Sequence, residues 1–291
     1  LPISCHGRCI TSNGSNTTIS HNVTDGCLAD QIIVSRSSTA APVTNVSIVG
    51  NVSVNGNDGG FGFESTASYA GCSGCSFTGN VAKNNGVVGL YVLETTDLTI
   101  SGNTFDGNGS RDQTADAGLY LAATVSITNT NVTGNTFTDR AGTPTQKYHI
   151  QVPLSPVAIS GTLIANNVYG PTQAGGAPIA IGNDADITGT TIDEAAGLAV
   201  AFADLGASYV RAANGSRAYC SDCAVSYPCA GSGAGTMAVR IGGAWACNGG
   251  VPTPALPTPV PVSTSATGTN GTSTSLSRED HVHWLPDLDT S

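Results

Sequence analysis

The chain reads as all-β, a parallel β-helix in which short strands wind into stacked coils. Three observations predict this. A segment of one hydrophobic residue, Ser or Thr, Gly and Asn recurs at Phe77–Asn80, Ile100–Asn103 and Val132–Asn135. A second segment follows each of them, as GLYV at Gly89–Val92, GLYL at Gly118–Leu121 and HIQV at His149–Val152, and continues as PIAI at Pro178–Ile181, a spacing of 29, 31 and 29 residues. Between them lie short alternating stretches such as LTIS and VSIV. A period of this size, built from short strands and Asn/Gly turns, signals a solenoid. One coil cannot bury its two or three inward apolar residues alone; stacked on a neighbour at about 4.8 Å it can.

Each part of the repeat has its own reason. Asn at the turns tolerates left-handed backbone and can hydrogen-bond to the equivalent Asn one coil on. Length differences between repeats map to loops on one edge. Helix is disfavoured throughout, because Gly, Thr, Asn and Val dominate and no apolar 3.6-residue pattern persists. A β-sandwich is the rival for many short strands, but it does not account for matched SGN/TGN and GLYV/GLYL pairs.

Composition narrows the function classes. Only 10% of the 291 residues are charged, yet 40% are hydrophobic, which argues against disorder. No apolar run approaches the roughly 18 residues of a membrane helix. A formal net charge of −10 argues against nucleic acid as a partner. The absence of an initial Met and of a signal-like segment suggests a mature form or a fragment. Nine cysteines in a lysine-poor chain point to an oxidising, extracellular setting.

The coil pattern resembles the right-handed parallel β-helix of pectate-lyase-like proteins. The resemblance spans roughly residues 10–208 of a β-helix domain placed at 1–208, clearest from Phe77 to Ile181, with VTNVSIVGNVSVNG (Val43–Gly56) and LAVAF (Leu198–Phe202) as flanking coils. Residues 209–249 break the pattern. Strand-like SRAYC and MAVRIGGAWAC flank a Cys/Gly-rich loop, and Gly242–Gly243 reads as a hairpin turn. This stretch is similar to small β-modules that follow β-helices in secreted bacterial and phage-tail-like proteins. Its Cys220, Cys223, Cys229 and Cys247 admit two readings. Disulfides would staple a module with little core, and four thiolates could hold zinc, although the spacing is not a paired CxxC…CxxC. Cys5, Cys9, Cys27, Cys72 and Cys75 are expected in disulfides too, with one of the nine left over.

Residues 250–270 form a Pro/Thr/Ser/Gly linker. Pro252, Pro254, Pro257, Pro259 and Pro261 favour an extended polyproline strand, which orders only against another surface such as a neighbouring subunit. The tail, 271–291, carries SREDHVHWLP. It resembles the Asp-His-x-His segments of phage tail fibres and tail spikes. That resemblance implies a trimer in which His281 and His283 could converge on an axial metal, with Trp284 in the assembly contact; the alternative is a metal-free polar trimer contact, or a hydrogen-bonded knot with Asp280 and Trp284.

β-Helices of the family often cleave acidic polysaccharides, with Asp clusters for calcium or paired carboxylates. Asp112 with Asp116, and Asp184 with Asp186, are the candidate catalytic pairs here, among further acids at Asp58, Glu64, Glu94, Asp97, Asp106, Asp193 and Glu194. Most sit in turns, where Asp is an ordinary residue, and no basic residue recurs beside them. The leading expectation is therefore an extracellular or virion-surface structural or adhesive subunit without a resident cofactor. It would assemble with copies of itself as a trimer or filament. A polysaccharide lyase or hydrolase, and a non-catalytic module for a cell-surface glycan, are the alternatives. Asn-x-Ser/Thr triplets, including Asn13, Asn45, Asn51 and Asn131, would accept glycans in a eukaryotic secreted protein.

Overall fold

A computed structural model describes residues 7–36, 42–65, 71–111, 115–122, 126–139, 144–153, 159–174, 176–181, 190–193, 199–203, 205 and 214–247. The described strands form a β-solenoid with four sheets of five, eleven, six and seven strands, parallel throughout the coils. One coil runs Val43–Thr44, Ser47–Val49, Val52–Val54 and Phe61–Ser65, one strand for each sheet, before the chain steps up to Cys72–Ser73. Phe61, Leu90, Leu119, Ile150 and Ile179 stack in register in the seven-stranded sheet. The expected GLYV/GLYL/HIQV/PIAI series is thus one strand repeated in successive coils.

Side chains pointing inward close the core. Leu90, Leu119, Phe77, Phe105 and Phe137 are fully buried. Phe105 and Phe137 stack at 4.9 Å, and Tyr169 continues the stack at 5.6 Å from Phe137. A single coil would leave these rings in water, so burial couples each coil to the next.

The SGN/TGN segment is a corner, and its two roles fall to different residues. The glycine takes the left-handed backbone, with φ near +64° at Gly79 and Gly102. The asparagine after this corner residue builds a ladder through Asn22, Asn51, Asn80, Asn103, Asn135 and Asn167, buried from Asn51 on, each amide NH₂ donating to the next Oδ1 at 2.9–3.2 Å; at the first and last rungs His21 and Asn166 take the glycine's place. At the outer corners other asparagines adopt positive φ themselves, among them Asn45, Asn55, Asn84 and Asn129. The two jobs expected of one asparagine are divided at the ladder corner, whereas at an outer corner Asn45, with φ of 56°, does both and donates to Asn16, φ 55°, at 3.1 Å. Asn51, a triplet asparagine, is fully buried in the ladder, so the folded chain offers no acceptor there.

Coil length varies at two corners, on either side of the seven-stranded sheet, rather than on one edge as expected: Asp106–Ala117 is a longer step than Lys83–Val88, and Leu121–Ile127 a longer step than Val92–Thr95. Ser76 and Thr99 are register partners only 23 residues apart, whereas Thr99 and Asn131 are 32 apart. The short coil is the one in which Val88–Val92 leads almost directly into Thr95–Thr96.

The eleven-stranded sheet runs on past the coils. Thr191–Asp193 pairs in parallel with Arg217–Cys220, which pairs antiparallel with Thr236–Ile241, which in turn pairs with Ala244–Ala246. Gly242 and Gly243 make the hairpin turn with φ of 58° and 82°. The cysteine module therefore covers the end of this sheet within the same chain, so this particular edge needs no second subunit. The chain divides into units at residues 1–252 and 253–291, and the second lies outside the described residues.

Candidate functional site

The outer face of the seven-stranded sheet carries the most distinctive surface chemistry. Alternation decides which side chains stand there: Leu90 and Val92 point into the core, so Tyr91 points out. Register then stacks Ile33, Gly62, Tyr91, Tyr120, Gln151 and Ala180 along the outside. The Tyr91 and Tyr120 rings are 5.1 Å apart and within 5° of parallel. They form one continuous, partly buried aromatic patch. Below them Gly62 has no side chain, and an added Cβ would lie 2.6 Å from Ile33 Cδ1. A larger residue there would have to displace that methyl.

Beside the tyrosines sits a charged group from three separate coils. Arg8 precedes the first strand, Asp30 lies two residues before the strand Ile32–Arg36, and Glu64 lies in Phe61–Ser65. Arg8 Nη2 donates to Glu64 Oε2 at 2.6 Å and lies 3.9 Å from Asp30 Oδ2. Asp30 Oδ1 accepts the Gly59 N–H at 3.0 Å, while Asp58 is exposed next door. Among the described side chains, the Arg8 guanidinium stands against the Glu64 and Asp30 carboxylates, with Asp58 adjacent.

The imbalance shifts proton affinities. Burial, with the charges of Glu64 and Asp58, pushes the Asp30 carboxyl up to about 6, against the weaker pull of the Gly59 N–H and Arg8. Burial also pushes the Tyr91 phenol up to about 12, helped by Tyr120, Glu64, Asp30 and Asp58. Tyr120 is raised by burial. The site thus holds a carboxyl that exchanges its proton near neutrality beside a carboxylate paired with arginine.

The other predicted residues are placed as follows. Asp116 is buried at 1% exposure, and its carbonyl accepts the Tyr148 N–H. Asp112, Asp184 and Asp186 lie outside the described residues, as do His281, His283, Pro252, Pro254, Pro257, Pro259, Pro261 and Trp284. Disulfides join Cys9 to Cys27, Cys72 to Cys75, Cys220 to Cys223 and Cys229 to Cys247. Cys5 is outside the described residues. Among the other acids, Asp106 pairs with Lys83 at 3.3 Å, and Asp193 pairs with Arg217 at 2.5 Å.

Sequence reasoning missed Asp30, Arg8 and the tyrosine pair. One signal could have found the tyrosines. They occupy the same position of GLYV and GLYL, one coil apart, between two inward residues, and such a pair must stack outside.

A second polar line runs through the interior. Gln31 donates to Asn85, Asn85 to Asn108, and Asn108 to Gln146, at 2.9, 3.0 and 3.2 Å. Gln146 Nε2 lies 2.6 Å from His149 Nδ1, and His149 Nε2 lies 2.9 Å from the Gly170 carbonyl. His149 therefore carries its proton on Nε2 and accepts at Nδ1. Burial lowers its proton affinity despite the Gly170 carbonyl and the Asp139 charge.

No protein-family model, curated protein or solved structure matches the chain.

Proposed function

We propose that this chain is an extracellular adhesive subunit whose solenoid presents a glycan-binding face, with Tyr91 and Tyr120 as the platform and Asp30, Glu64 and Arg8 as the polar contacts. The observation that carries this is the stacked tyrosine pair beside the three-carboxylate, one-arginine group. Electron-rich aromatic rings attract the polarised C–H groups of a sugar, and carboxylates accept its hydroxyl protons. The local excess of negative charge, within a chain of net charge −10, favours uncharged or amine-bearing sugars over uronates. Disulfides in the described residues support an oxidising setting. Assembly with further copies, through residues 250–291, remains part of the proposal.

The test is a glycan array probed with the full chain. Retention of neutral or amino-sugar oligosaccharides supports the reading, and an array with no retained glycan contradicts it.

One observation favours a second reading, glycoside hydrolysis. A carboxyl protonated up to about pH 6, beside an ionised partner, is the division of labour between general acid and its companion carboxylate. Release of reducing ends from an array-positive glycan, abolished in Asp30→Asn, would replace adhesion by catalysis.

A further inference from the structure

We propose that Cys220, Cys223, Cys229 and Cys247 bind one zinc ion when their sulfurs are reduced, so that the end module has two alternative staples: a pair of disulfides or a tetrathiolate metal. The observation is the closeness of the two bridges. The Sγ atoms of Cys223, Cys229 and Cys247 all lie within 4.8 Å of one another, and Cys220 is bonded to Cys223. Four thiolates around zinc sit ~3.8 Å apart, given Zn–S distances of about 2.3 Å and tetrahedral angles. Three of the four sulfurs are therefore already near ligand spacing, and the fourth, on Cys220, is held beside Cys223 by its disulfide and has to swing toward Cys229 and Cys247 once the two S–S bonds open. All four cysteines are buried, at 0%, 1%, 7% and 0% exposure. Among the described residues, the other two disulfides enter no such group.

The backbone around the sulfurs is held by contacts that do not depend on their oxidation state. Cys220 ends the strand Arg217–Cys220, paired with Thr236–Ile241. The Cys223 carbonyl accepts the Gly235 N–H at 3.2 Å. At Gly233 an added Cβ would fall 2.1 Å from that carbonyl oxygen, so only glycine lets the loop close over the Cys220–Cys223 turn. Cys229 N–H donates to the Trp245 carbonyl at 2.8 Å, and Cys247 exchanges backbone hydrogen bonds with Ser226 at 2.9 Å. Asp222 Oδ1 accepts the Phe202 N–H at 2.6 Å and also lies 3.5 Å from Cys220 Sγ, so a carboxylate stands beside the fourth sulfur. A half-open apolar pocket of about 330 Å³, lined by Phe202, Leu205, Pro228 and Trp245 among others, reaches Cys229 and gives access.

The interconversion balances. Two dithiol reductant molecules each pass two electrons and two protons to one disulfide and leave as their own cyclic disulfides. The resulting four thiols release four protons as zinc takes their sulfurs. An oxidising compartment drives the reverse, expelling zinc as the disulfides close.

The experiment uses the full chain, reduced with dithiothreitol, freed of reductant and metal under anaerobic conditions, and titrated with zinc chloride. The proposal expects about one zinc per chain, with four thiols shielded from alkylation. It expects loss of that zinc in Cys229→Ser/Cys247→Ser and its retention in Cys72→Ser/Cys75→Ser. Cobalt(II) added to the unaltered reduced chain provides a check independent of variant folding: it should give the intense visible bands of a tetrahedral tetrathiolate. Sub-stoichiometric zinc, zinc kept by Cys229→Ser/Cys247→Ser, or a weak octahedral cobalt spectrum would each overturn the proposal.

Discussion

The Tyr91 and Tyr120 rings stack at 5.1 Å, 5° from parallel, though 29 residues separate them in the chain. They meet because one coil lies between them, so a single register error would separate them. Burial and nearby carboxylates hold the Tyr91 phenol up at about 12. Ultraviolet titration of the folded chain should show tyrosines ionising in the ordinary range near 10 and a further one near 12. That late step should vanish in Tyr91→Phe.

Asp30 should make the protein more stable in mild acid. Its folded carboxyl titrates at about 6, above its ordinary 3.8, so the native state holds a proton that the unfolded state has lost. Between these values stability falls as pH rises; above 6 the full cost, on the order of 3 kcal/mol, is present. Asp30→Asn should therefore raise the melting temperature at pH 8 and change it little at pH 4. Thermal unfolding across that range checks this.

His149 acts in the opposite direction within an overlapping window. Burial keeps it neutral, so its folded proton affinity lies below the ordinary 6.5. Below pH 6.5 the unfolded state gains a proton that the native state refuses, and stability drains away as pH falls. Protonation would also turn Nδ1 from acceptor to donor against the Gln146 amide. His149→Gln should flatten the acid limb of the stability curve. Comparing it with Asp30→Asn separates the two opposing slopes.

The asparagine ladder should be costly to interrupt. Asn103 accepts the Asn80 backbone N–H at 2.8 Å and donates to Asn135 and to the Phe77 carbonyl, both at 2.9 Å. Asn103→Ala leaves several buried groups without partners, at about 1–3 kcal/mol each. Denaturant unfolding should show a loss of roughly 3–5 kcal/mol, against less than about 0.5 kcal/mol for an exposed asparagine such as Asn57→Ala.

The coil architecture was legible because solenoids write their period into the chain. Phe77–Asn80, Ile100–Asn103 and Val132–Asn135 repeat in side-chain type, and Leu90, Leu119 and Ile150 repeat in position, since every coil faces the same packing problem. The candidate site was not legible. Arg8 and Glu64 are 56 residues apart and belong to coils that share no motif, so nothing local marks Arg8 as a partner for Glu64 and Asp30. The catalytic pairs were sought as neighbours in sequence, DQTAD and NDAD, whereas stacking brings together residues about 29 apart. The cysteine module looked separate because its composition changes at residue 209. Hydrogen bonding instead carries the eleven-stranded sheet straight into it, from Asp193 to Arg217.

The most direct test of the glycan-binding face is calorimetry of a glycan retained on the array, titrated into the full chain and into Tyr91→Ala/Tyr120→Ala. Both tyrosines are outward-facing and only partly buried, so the variant should keep its fold, as circular dichroism will verify. The account predicts at least a tenfold weaker affinity in the variant, about 1.4 kcal/mol. Equal affinity in both proteins would place the ligand elsewhere and contradict it.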